Sequence, residues 1–323
     1  MSEPAPVRAR AGDWVAGARP RTLPAAVVPV LLGTVVAWWA WRHQLPVSSC
    51  IAARCAPQPW RPHDPVWWRA AAALVGALAL QIGTNFANDL SDGVRGTDAD
   101  RVGPTRLVAA GLASPAAVRL AALGSFAVAG IAGLLLAATV SWWVVAVGAA
   151  CFAAGWGYTG GPRPYGYLGL GELFVFVFFG LVATVGSVYV VVGTFPALGW
   201  VLGSASGLLA CALLEANNIR DLDSDAAAGK RTLAVRLGRR GAGWLYTIWI
   251  VGAGAAVVAA AVVWDPWVAL ALVAVPLAVA PVRTALGPAI GGDVVMVLGA
   301  SGRLQIAAGG LVAIGVVVGA VWR

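Results

Sequence analysis

Nine apolar stretches recur along this 323-residue chain, and each is long enough to cross a lipid bilayer as a helix. The hydrocarbon core of a bilayer is about 30 Å thick, which about 20 helical residues span at about 1.5 Å each. Because 60% of the residues are hydrophobic and only 11% are charged, a soluble domain is excluded. The sequence therefore predicts an all-α, polytopic membrane bundle of nine transmembrane helices. The predicted spans lie near residues 23–41, 67–86, 116–138, 142–159, 168–192, 197–217, 242–263, 266–286 and 304–322.

The distribution of positive charge predicts how this bundle is oriented. The chain carries 22 basic and 14 acidic residues, which gives a net charge of +8. With a cytoplasmic amino terminus, the predicted inner segments hold 17 basic residues and the outer segments hold 5, as the positive-inside rule requires. We therefore expect a multi-pass protein of the inner (plasma) membrane. Orientation and contact with anionic lipid headgroups account for the basic charge, so we expect membrane lipid and no nucleic acid as a partner.

The connections between the predicted spans are mostly short, which indicates one domain. We expect a cytoplasmic amino-terminal segment at 1–22 and a single transmembrane domain at 23–323, whose first span is retained rather than cleaved. Residues 43–66 form a predicted external loop. A disulfide between Cys50 and Cys55 is chemically permitted there, and the sequence leaves open whether it forms.

Two acidic segments stand out in the apolar chain, in predicted cytoplasmic loops at 87–115 and 218–241. The first reads NFANDLSDGVRGTDADR from residue 85, and the second reads NNIRDLDSDAAAGKRT from residue 217. Together they hold seven of the 14 acidic residues. Four predicted spans separate the two segments, and because four is an even number, both segments meet the same face of the membrane.

The spacing of polar residues in each segment places three side chains on one face of a helix. In the first segment the offsets are i, i+4 and i+7, and in the second they are i, i+3 and i+7. We therefore expect the two sets to face each other at the ends of the second and sixth spans. The sets are Asn85, Asp89 and Asp92, and Asn218, Asp221 and Asp225.

The carboxylates in these sets predict a divalent metal. A carboxylate at membrane depth costs about 2.5 to 3.5 kcal/mol, so a cation must compensate it. Mg²⁺ prefers oxygen ligands and is commonly bound by one or two carboxylates together with substrate phosphates. We therefore expect Mg²⁺ to be held by Asp89, Asp92, Asp221 and Asp225.

Basic residues follow each acidic set. Arg101 and Arg106 follow the first set, and Lys230 and Arg231 follow the second. Cations beside a metal neutralise phosphoryl oxygens as charge develops on a leaving group, so this order predicts a bound phosphate or diphosphate. The alternative is that these residues only orient the protein in the membrane.

Four further polar residues lie near the same predicted membrane face. Tyr158 and Arg163 follow the fourth span and could reach a diphosphate. Glu172 lies just inside the fifth span, where an ionisable side chain either serves function or hydrogen-bonds within the bundle. Arg19 lies just before the first span. It either binds a phosphate or extends its charged end to the membrane surface as an anchor.

Four segments, in this order, resemble the UbiA superfamily of intramembrane aromatic prenyltransferases. They read ARPRTLPAAVVPVLLGT, NDLSDGVRGTDADRVGPTRLVAAG, YTGGPRPYGYLGLGELFVFVFFG and NNIRDLDSDAAAGKRTLAVRLG. The paired Asp-rich motifs of the superfamily match both acidic sets and add Asp98 as a metal ligand. One departure is that Asp98 follows Asp92 by six residues instead of four, with Gly at position 96, so Asp98 binds metal either directly or through water.

The resemblance implies a central cavity between the helices and transfer of a polyprenyl group from polyprenyl diphosphate, dependent on Mg²⁺. The flanking segments resemble the branch that acts on 1,4-dihydroxy-2-naphthoate with loss of carboxylate, giving demethylmenaquinone. The implied catalytic residues are Asp89, Asp92, Asp221, Asp225 and Lys230. The implied substrate-binding residues are Asn85, Arg19, Arg101, Arg106, Tyr158, Arg163, Asn218, Arg231 and Glu172.

Two alternatives stay open at this point. The acceptor could be 4-hydroxybenzoate, haem or a chlorophyll precursor, since these reactions share the fold. An ion-coupled transporter also uses intramembrane carboxylates, but it places them near the membrane midplane rather than at one face.

Overall fold

The computed structural model describes residues 9–43, 64–95, 106–158, 164–288 and 292–322. These residues form helices and turns, and no β-strand occurs among them. The α-helices, numbered in chain order, are α1 Ala11–Gly17, α2 Pro24–Arg42, α3 Trp67–Arg95, α4 Pro115–Thr139, α5 Trp143–Gly157, α6 Gly171–Val192, α7 Ala197–Arg220, α8 Leu222–Ala227, α9 Leu233–Val263, α10 Pro276–Leu286 and α11 Gly292–Trp322.

Nine apolar segments occur in this part of the chain, at the positions predicted from the sequence. Seven helices, α2, α3, α4, α6, α7, α9 and α11, are long and apolar enough to cross a membrane. The eighth segment is a 3₁₀-helix at Pro266–Ala274 that bends by 50° into α10. The ninth is α5, whose 15 residues reach only about 22 Å, less than the hydrocarbon core. The predicted all-α membrane bundle is confirmed, and the count of nine spans is approximate.

Several helices extend past the predicted spans, so the predicted loops were too long. Helix α3 continues to Arg95, which makes the first part of 87–115 helical. Most of 218–241 is also helical, because it contains the end of α7, all of α8 and the start of α9. Hydropathy marks only the residues suited to hydrocarbon, whereas backbone hydrogen bonding continues into the polar turns beyond them.

The predicted external loop at 43–66 lies almost entirely outside the described residues, and so do Cys50 and Cys55. The disulfide therefore stays an open expectation. Cys151 and Cys211, which the sequence places in apolar spans, are free thiols on α5 and α7.

Glycines bring neighbouring helices into close contact, as small residues do in membrane bundles. A Cβ atom at Gly180 of α6 would lie 2.6 Å from the Cα of Gly207 on α7. Gly309 of α11 packs equally tightly against the side chain of Val28 on α2. These contacts close the bundle on the sides where α6 meets α7 and α2 meets α11.

Helix α6 contains a π-helical segment at Phe176–Val182. A π-helical turn includes one more residue than an α-helical turn, and such turns are frequent at functional sites. Here Gly180 faces α7, while Phe178, Phe179 and Val182 line a cavity in the bundle.

Arg69 joins three helices near the end of the bundle where α3 begins. Its guanidinium donates to the Thr139 carbonyl at the end of α4 (2.6 Å) and to the Val190 carbonyl in the last turn of α6 (3.3 Å). A half-buried cation at helix carboxyl ends satisfies carbonyl groups that lack helical partners.

Candidate active site

A cavity of about 1240 Å³ lies between α2, α3, α4, α5, α6 and α7. Its polar end is formed where α3 and α7 terminate, and its remaining walls are mainly apolar. Within the described ranges, no residue of α9, α10 or α11 lines it.

Asn85, Asn88 and Asp92 are among the polar side chains of α3 that line the cavity. They stand at i, i+3 and i+7 and therefore share one helix face. Asn85 donates from Nδ2 to the Ala18 carbonyl at 2.8 Å and to Thr22 Oγ1 at 3.2 Å. Asn88 was absent from the sequence-based candidates, although its spacing from Asn85 and Asp92 could have indicated it.

Asp89 has a different environment from the one predicted. Its Oδ2 accepts the backbone N–H of Leu107 at 2.8 Å, and its Oδ1 accepts that of Val108 at 3.1 Å. The side chain is 1% exposed and does not line the cavity. Asp89 thus fixes the turn after the first acidic segment against α3, and in this structure it does not lie with the other expected metal ligands.

Asp92 is surrounded by groups that stabilise its negative charge. Arg106 lies 3.5 Å from its Oδ2, and Lys230 lies 3.7 Å from its Oδ1. The Tyr167 hydroxyl donates to the same Oδ1 at 3.2 Å. Tyr167 was not predicted from the sequence, because it follows α5 in a segment without a helical pattern.

The second acidic segment faces the first across the cavity. Lys230 lies 3.0 Å from Asp225 and also contacts Asp92, so one ammonium bridges the two segments. Asp221 accepts two hydrogen bonds of 2.7 Å from the Arg220 guanidinium. The two acidic segments therefore meet at one end of the bundle, as the even number of predicted spans between them requires.

The local backbone explains how Lys230 reaches this position. Helix α8 ends at Ala227, and Gly229 then takes a φ of 73°, which an L side chain rarely adopts. The chain reverses there, and the Lys230 N–H donates to the Asp225 carbonyl at 2.9 Å. Burial lowers the pKa of Lys230, but the carboxylates of Asp92 and Asp225 more than offset this, so its pKa lies above the ordinary value. Lys230 is therefore protonated at neutral pH.

Arg19 enters the cavity from the segment before α2. Its φ of 55° makes it the sole non-glycine residue with positive φ in the described part of the chain. The turn is held by Thr22, whose hydroxyl donates to the Arg19 carbonyl at 2.9 Å. A strained backbone that presents a cation to a polar cavity is typical of a binding site.

Glu172 lies behind the cavity wall. It is 4% exposed, does not line the cavity, and accepts from Asn218 Nδ2 at 2.9 Å. This bond leaves the amide oxygen of Asn218, which does line the cavity, available as a ligand. Glu215 was not among the candidates predicted from the sequence. It is completely buried and interacts with Glu172. Glu172 therefore contacts the cavity lining through its hydrogen bond with Asn218.

The other predicted site residues fall into three groups: residues that line the cavity, one exposed residue, and residues outside the described part of the chain. Tyr158 and Arg106 line the cavity, whereas Arg231 is exposed and makes backbone contacts: its N–H donates to the Tyr167 carbonyl at 2.9 Å, and its carbonyl accepts from Arg236 Nε at 3.0 Å. The third group lies outside the described residues: Asp98, Arg101 and Arg163.

The donor set at the polar end suits a hard cation with an anionic ligand. Asp92, Asp221 and Asp225 supply carboxylate oxygens, and Asn88 and Asn218 supply amides. Among the described residues, no group of three or more His, Cys, Asp and Glu side chains forms a complete metal cage. Mg²⁺ needs no such cage, because it keeps ligands from water and substrate phosphates.

The fold and this site together define a membrane-embedded protein with a large, mainly apolar cavity that has a charged end. The chain belongs to the UbiA prenyltransferase family, whose profile matches residues 47–287. The resemblance inferred from the sequence is thereby confirmed.

Similar proteins agree with this assignment. The chain is 46% identical over 278 residues to a Mycobacterium tuberculosis protein named 1,4-dihydroxy-2-naphthoate octaprenyltransferase, covering 85% of this chain and 87% of that protein. An Escherichia coli protein of the same name is 37% identical over 237 residues, 71% of this chain and 70% of that protein.

Solved structures share the fold. A UbiA homolog from Archaeoglobus fulgidus bound to DMAPP and Mg²⁺ superimposes with a TM-score of 0.55 at 15% identity, over 94% of this chain and 99% of that one. A UbiA homolog from Aeropyrum pernix gives a TM-score of 0.54 at 18% identity, over 90% and 96% of the two chains. The predicted UbiA-type fold is therefore confirmed.

Proposed function

We propose that this protein transfers a polyprenyl group from polyprenyl diphosphate to 1,4-dihydroxy-2-naphthoate, with loss of the carboxylate, in menaquinone biosynthesis. The product is the reduced form of demethylmenaquinone. The observation that carries the proposal is the cavity itself, in which Lys230 bridges Asp92 and Asp225 above a long apolar chamber. Support for the naphthoate acceptor comes from the names of relatives that are 46% and 37% identical.

The residues of the polar end would bind the diphosphate and its metal. Asp92, Asp221 and Asp225 would hold Mg²⁺, together with the amide oxygens of Asn88 and Asn218. When bound, Mg²⁺ supplies positive charge that stabilises the departing diphosphate. The contribution of Asp98 stays a proposal from the resemblance, because that residue lies outside the described part of the chain.

The basic side chains would bind the same diphosphate oxygens. Arg106 and Lys230 lie against the Asp92 carboxylate and would shift toward the diphosphate when Mg²⁺ takes over the charge of the acids. Arg19 would approach from the amino-terminal side. These cations stabilise the charge that develops as the bond between the first prenyl carbon and oxygen breaks, and that bond's electron pair leaves with the diphosphate.

The apolar walls would protect the allylic cation left behind. Tyr158, Tyr165 and Phe174 line the cavity near its polar end, and the last two rings stack with centroids 3.9 Å apart. Aromatic faces attract cations, and the apolar chamber excludes water that would otherwise capture the cation. The ring of the naphthoate then forms the new carbon–carbon bond, and the carboxylate leaves as carbon dioxide.

A competition assay tests the proposed acceptor. The purified protein is offered polyprenyl diphosphate with equal amounts of 1,4-dihydroxy-2-naphthoate and 4-hydroxybenzoate, and products are measured by mass spectrometry. We expect only prenylated naphthoate, and prenylated hydroxybenzoate without prenylated naphthoate would overturn the assignment.

We further propose that the polar end faces the cytoplasm of a bacterial inner membrane, as the distribution of basic residues indicates. A reporter enzyme that works only in the cytoplasm, fused before residue 1, tests this orientation. We expect an active fusion, whereas activity only from a reporter specific for the outer compartment contradicts the proposed topology.

A further inference from the structure

Gln81 is a polar side chain on the cavity wall of α3 that belongs to neither acidic segment. It lies four residues before Asn85, so the two amides follow one another on the same face of the helix. The Gln81 side chain is buried, at 8% exposure. Ala77, one turn earlier on α3, and Ala25, three residues after Thr22, also line the cavity. These small side chains leave space beside the Gln81 amide for a ligand.

Hydrogen bonds to Thr22 fix the orientation of both amides. The Thr22 hydroxyl has one proton, which it donates to the Arg19 carbonyl at 2.9 Å, so toward other groups it can only accept. Nε2 of Gln81 and Nδ2 of Asn85 both donate to Thr22 Oγ1, each at 3.2 Å. With either amide turned over, its oxygen would face an oxygen that has no proton to give. The amide oxygens of Gln81 and Asn85 therefore point away from Thr22.

The amide oxygen of Gln81 is available to a ligand. Among the residues that the structure describes, none donates a hydrogen bond to Oε1 of Gln81. Because Gln81 lines the cavity, this oxygen can be satisfied by a donor that the cavity holds. A buried acceptor without a donor is unfavourable, so the site suits a ligand that brings one.

The molecules of the proposed reaction differ in what they offer to this oxygen. A prenyl tail has no hydrogen-bond donor, and the oxygens of a diphosphate only accept. Gln81 also lies about 16 Å along α3 from Asp92, at about 1.5 Å per residue, which is farther than a diphosphate extends. The hydroxyls of the naphthoate are donors. Its 1-hydroxyl bonds internally to the adjacent carboxylate, which leaves the 4-hydroxyl to find a partner.

From this geometry, and on the basis of the function proposed above, we propose that Gln81 is a specificity-determining residue that accepts a hydrogen bond from the 4-hydroxyl of the naphthoate. The Asn85 oxygen presents a second acceptor one turn nearer the polar end. Together they select the reduced form of the substrate, because the hydroxyls of a quinol donate to amide oxygens. The carbonyl oxygens of the corresponding quinone would face those amide oxygens without a proton between them.

Removal of one hydroxyl from the ligand, and of the amide from the protein, tests the proposal. Dissociation constants of 1,4-dihydroxy-2-naphthoate and of 1-hydroxy-2-naphthoate, which lacks only the 4-hydroxyl, are measured by titration calorimetry. The protein is in detergent with Mg²⁺ and inorganic diphosphate, without oxygen. We expect the wild type to prefer the dihydroxy acid by about tenfold or more, and Gln81→Met, which keeps the length of the side chain, by less than about threefold.

The matched control is Gln305→Met on α11. Gln305 is also a completely buried glutamine, but it does not line the cavity, so this variant should keep the wild-type preference. If Gln81→Met does not fold, Gln81→Asn replaces it, because it keeps the amide but withdraws the oxygen by one methylene. Its preference should likewise fall below about threefold.

An equal preference in the wild type and the Gln81 variant, or no preference in the wild type, would overturn the role of Gln81. The quinone, 1,4-naphthoquinone-2-carboxylate, should bind the wild type at least about tenfold more weakly than the dihydroxy acid, and equal binding would overturn selection of the reduced form. These measurements need no turnover. Failure of the proposed function is a separate result, in which the wild type transfers no prenyl group to the naphthoate.

Discussion

At the scale of single residues, two neighbouring carboxylates of α3 make different contacts. Asp89 and Asp92 are separated by less than one helical turn, yet Asp89 accepts two backbone N–H groups while Asp92 faces cations across the cavity. The first stabilises the fold, and the second is the one we propose to bind metal beside a diphosphate. The difference arises because the cavity face of α3 runs through Asn85, Asn88 and Asp92.

Substitution of these two acids separates their roles. In Asp89→Asn the amide can accept only through one oxygen, so one buried N–H of Leu107 or Val108 loses its partner, at a cost of about 1 to 3 kcal/mol. We expect a lower melting temperature in detergent for Asp89→Asn. We expect an unchanged melting temperature and abolished transfer for Asp92→Asn, and the reverse pattern would contradict the assignment.

Arg19 offers a second prediction at this scale. An L residue in the left-handed region costs about 1 to 2 kcal/mol, and glycine does not carry this cost. We therefore expect Arg19→Gly to melt at or above the wild-type temperature while its KM for the prenyl diphosphate rises. Arg19→Ala keeps the strain without the charge and should melt below Arg19→Gly. Wild-type KM in Arg19→Gly would exclude Arg19 as a diphosphate ligand.

At the scale of elements, the sequence predicted that the segments are helices and where they lie. It predicted less well which face of a helix lines the cavity. Apolar runs located all nine segments because burial in hydrocarbon demands them. The face of α3 was misjudged because Asn88 and Asp89 are adjacent, and a spacing of i+3 or i+4 fits one helix face almost equally well. Tyr167 and Glu215 could not be predicted from the sequence, since only the folded bundle brings Tyr167 beside Asp92 and Glu215 beside Glu172.

The contact between α6 and α7 gives a prediction for packing. A valine at Gly180 would collide with the backbone of Gly207, which no side-chain rotation can relieve. We expect Gly180→Val to lower the melting temperature strongly and to reduce the yield of folded protein. Gly254→Val on α9, where a Cβ meets no atom within 4 Å, is the matched control and should behave like the wild type. Equal stability of the two variants would show that α6 and α7 can separate at this point.

At the scale of the whole molecule, the acids of the active site are held by the protein's own cations. Arg106 already pairs with Asp92, Lys230 with Asp225 and Arg220 with Asp221. We therefore expect the fold not to depend on bound metal, unlike small domains whose structure needs it. Under the proposed function, metal is needed only when a diphosphate adds further negative charge.

Metal removal should therefore stop the reaction without unfolding the protein. We expect a chelator to abolish prenyl transfer and to change the melting temperature by less than about 2 °C, a shift that corresponds to under about 1 kcal/mol. Added Mg²⁺ should restore turnover fully. Loss of helical circular dichroism after chelation would mean that the metal also supports the fold.

The short helix α5 also affects the lipid around the protein. Its length of about 22 Å leaves it about 8 Å shorter than the hydrocarbon core, so the bilayer beside it must become thinner or α5 must be covered by neighbouring groups. Trp142 and Trp143 at its start are 72% and 79% exposed, and tryptophan anchors at the boundary between headgroups and acyl chains. Where lipid contacts α5 directly, we therefore expect a thinner membrane on that flank of the protein. A bilayer of long saturated acyl chains should then fit this flank less well than a bilayer of shorter chains.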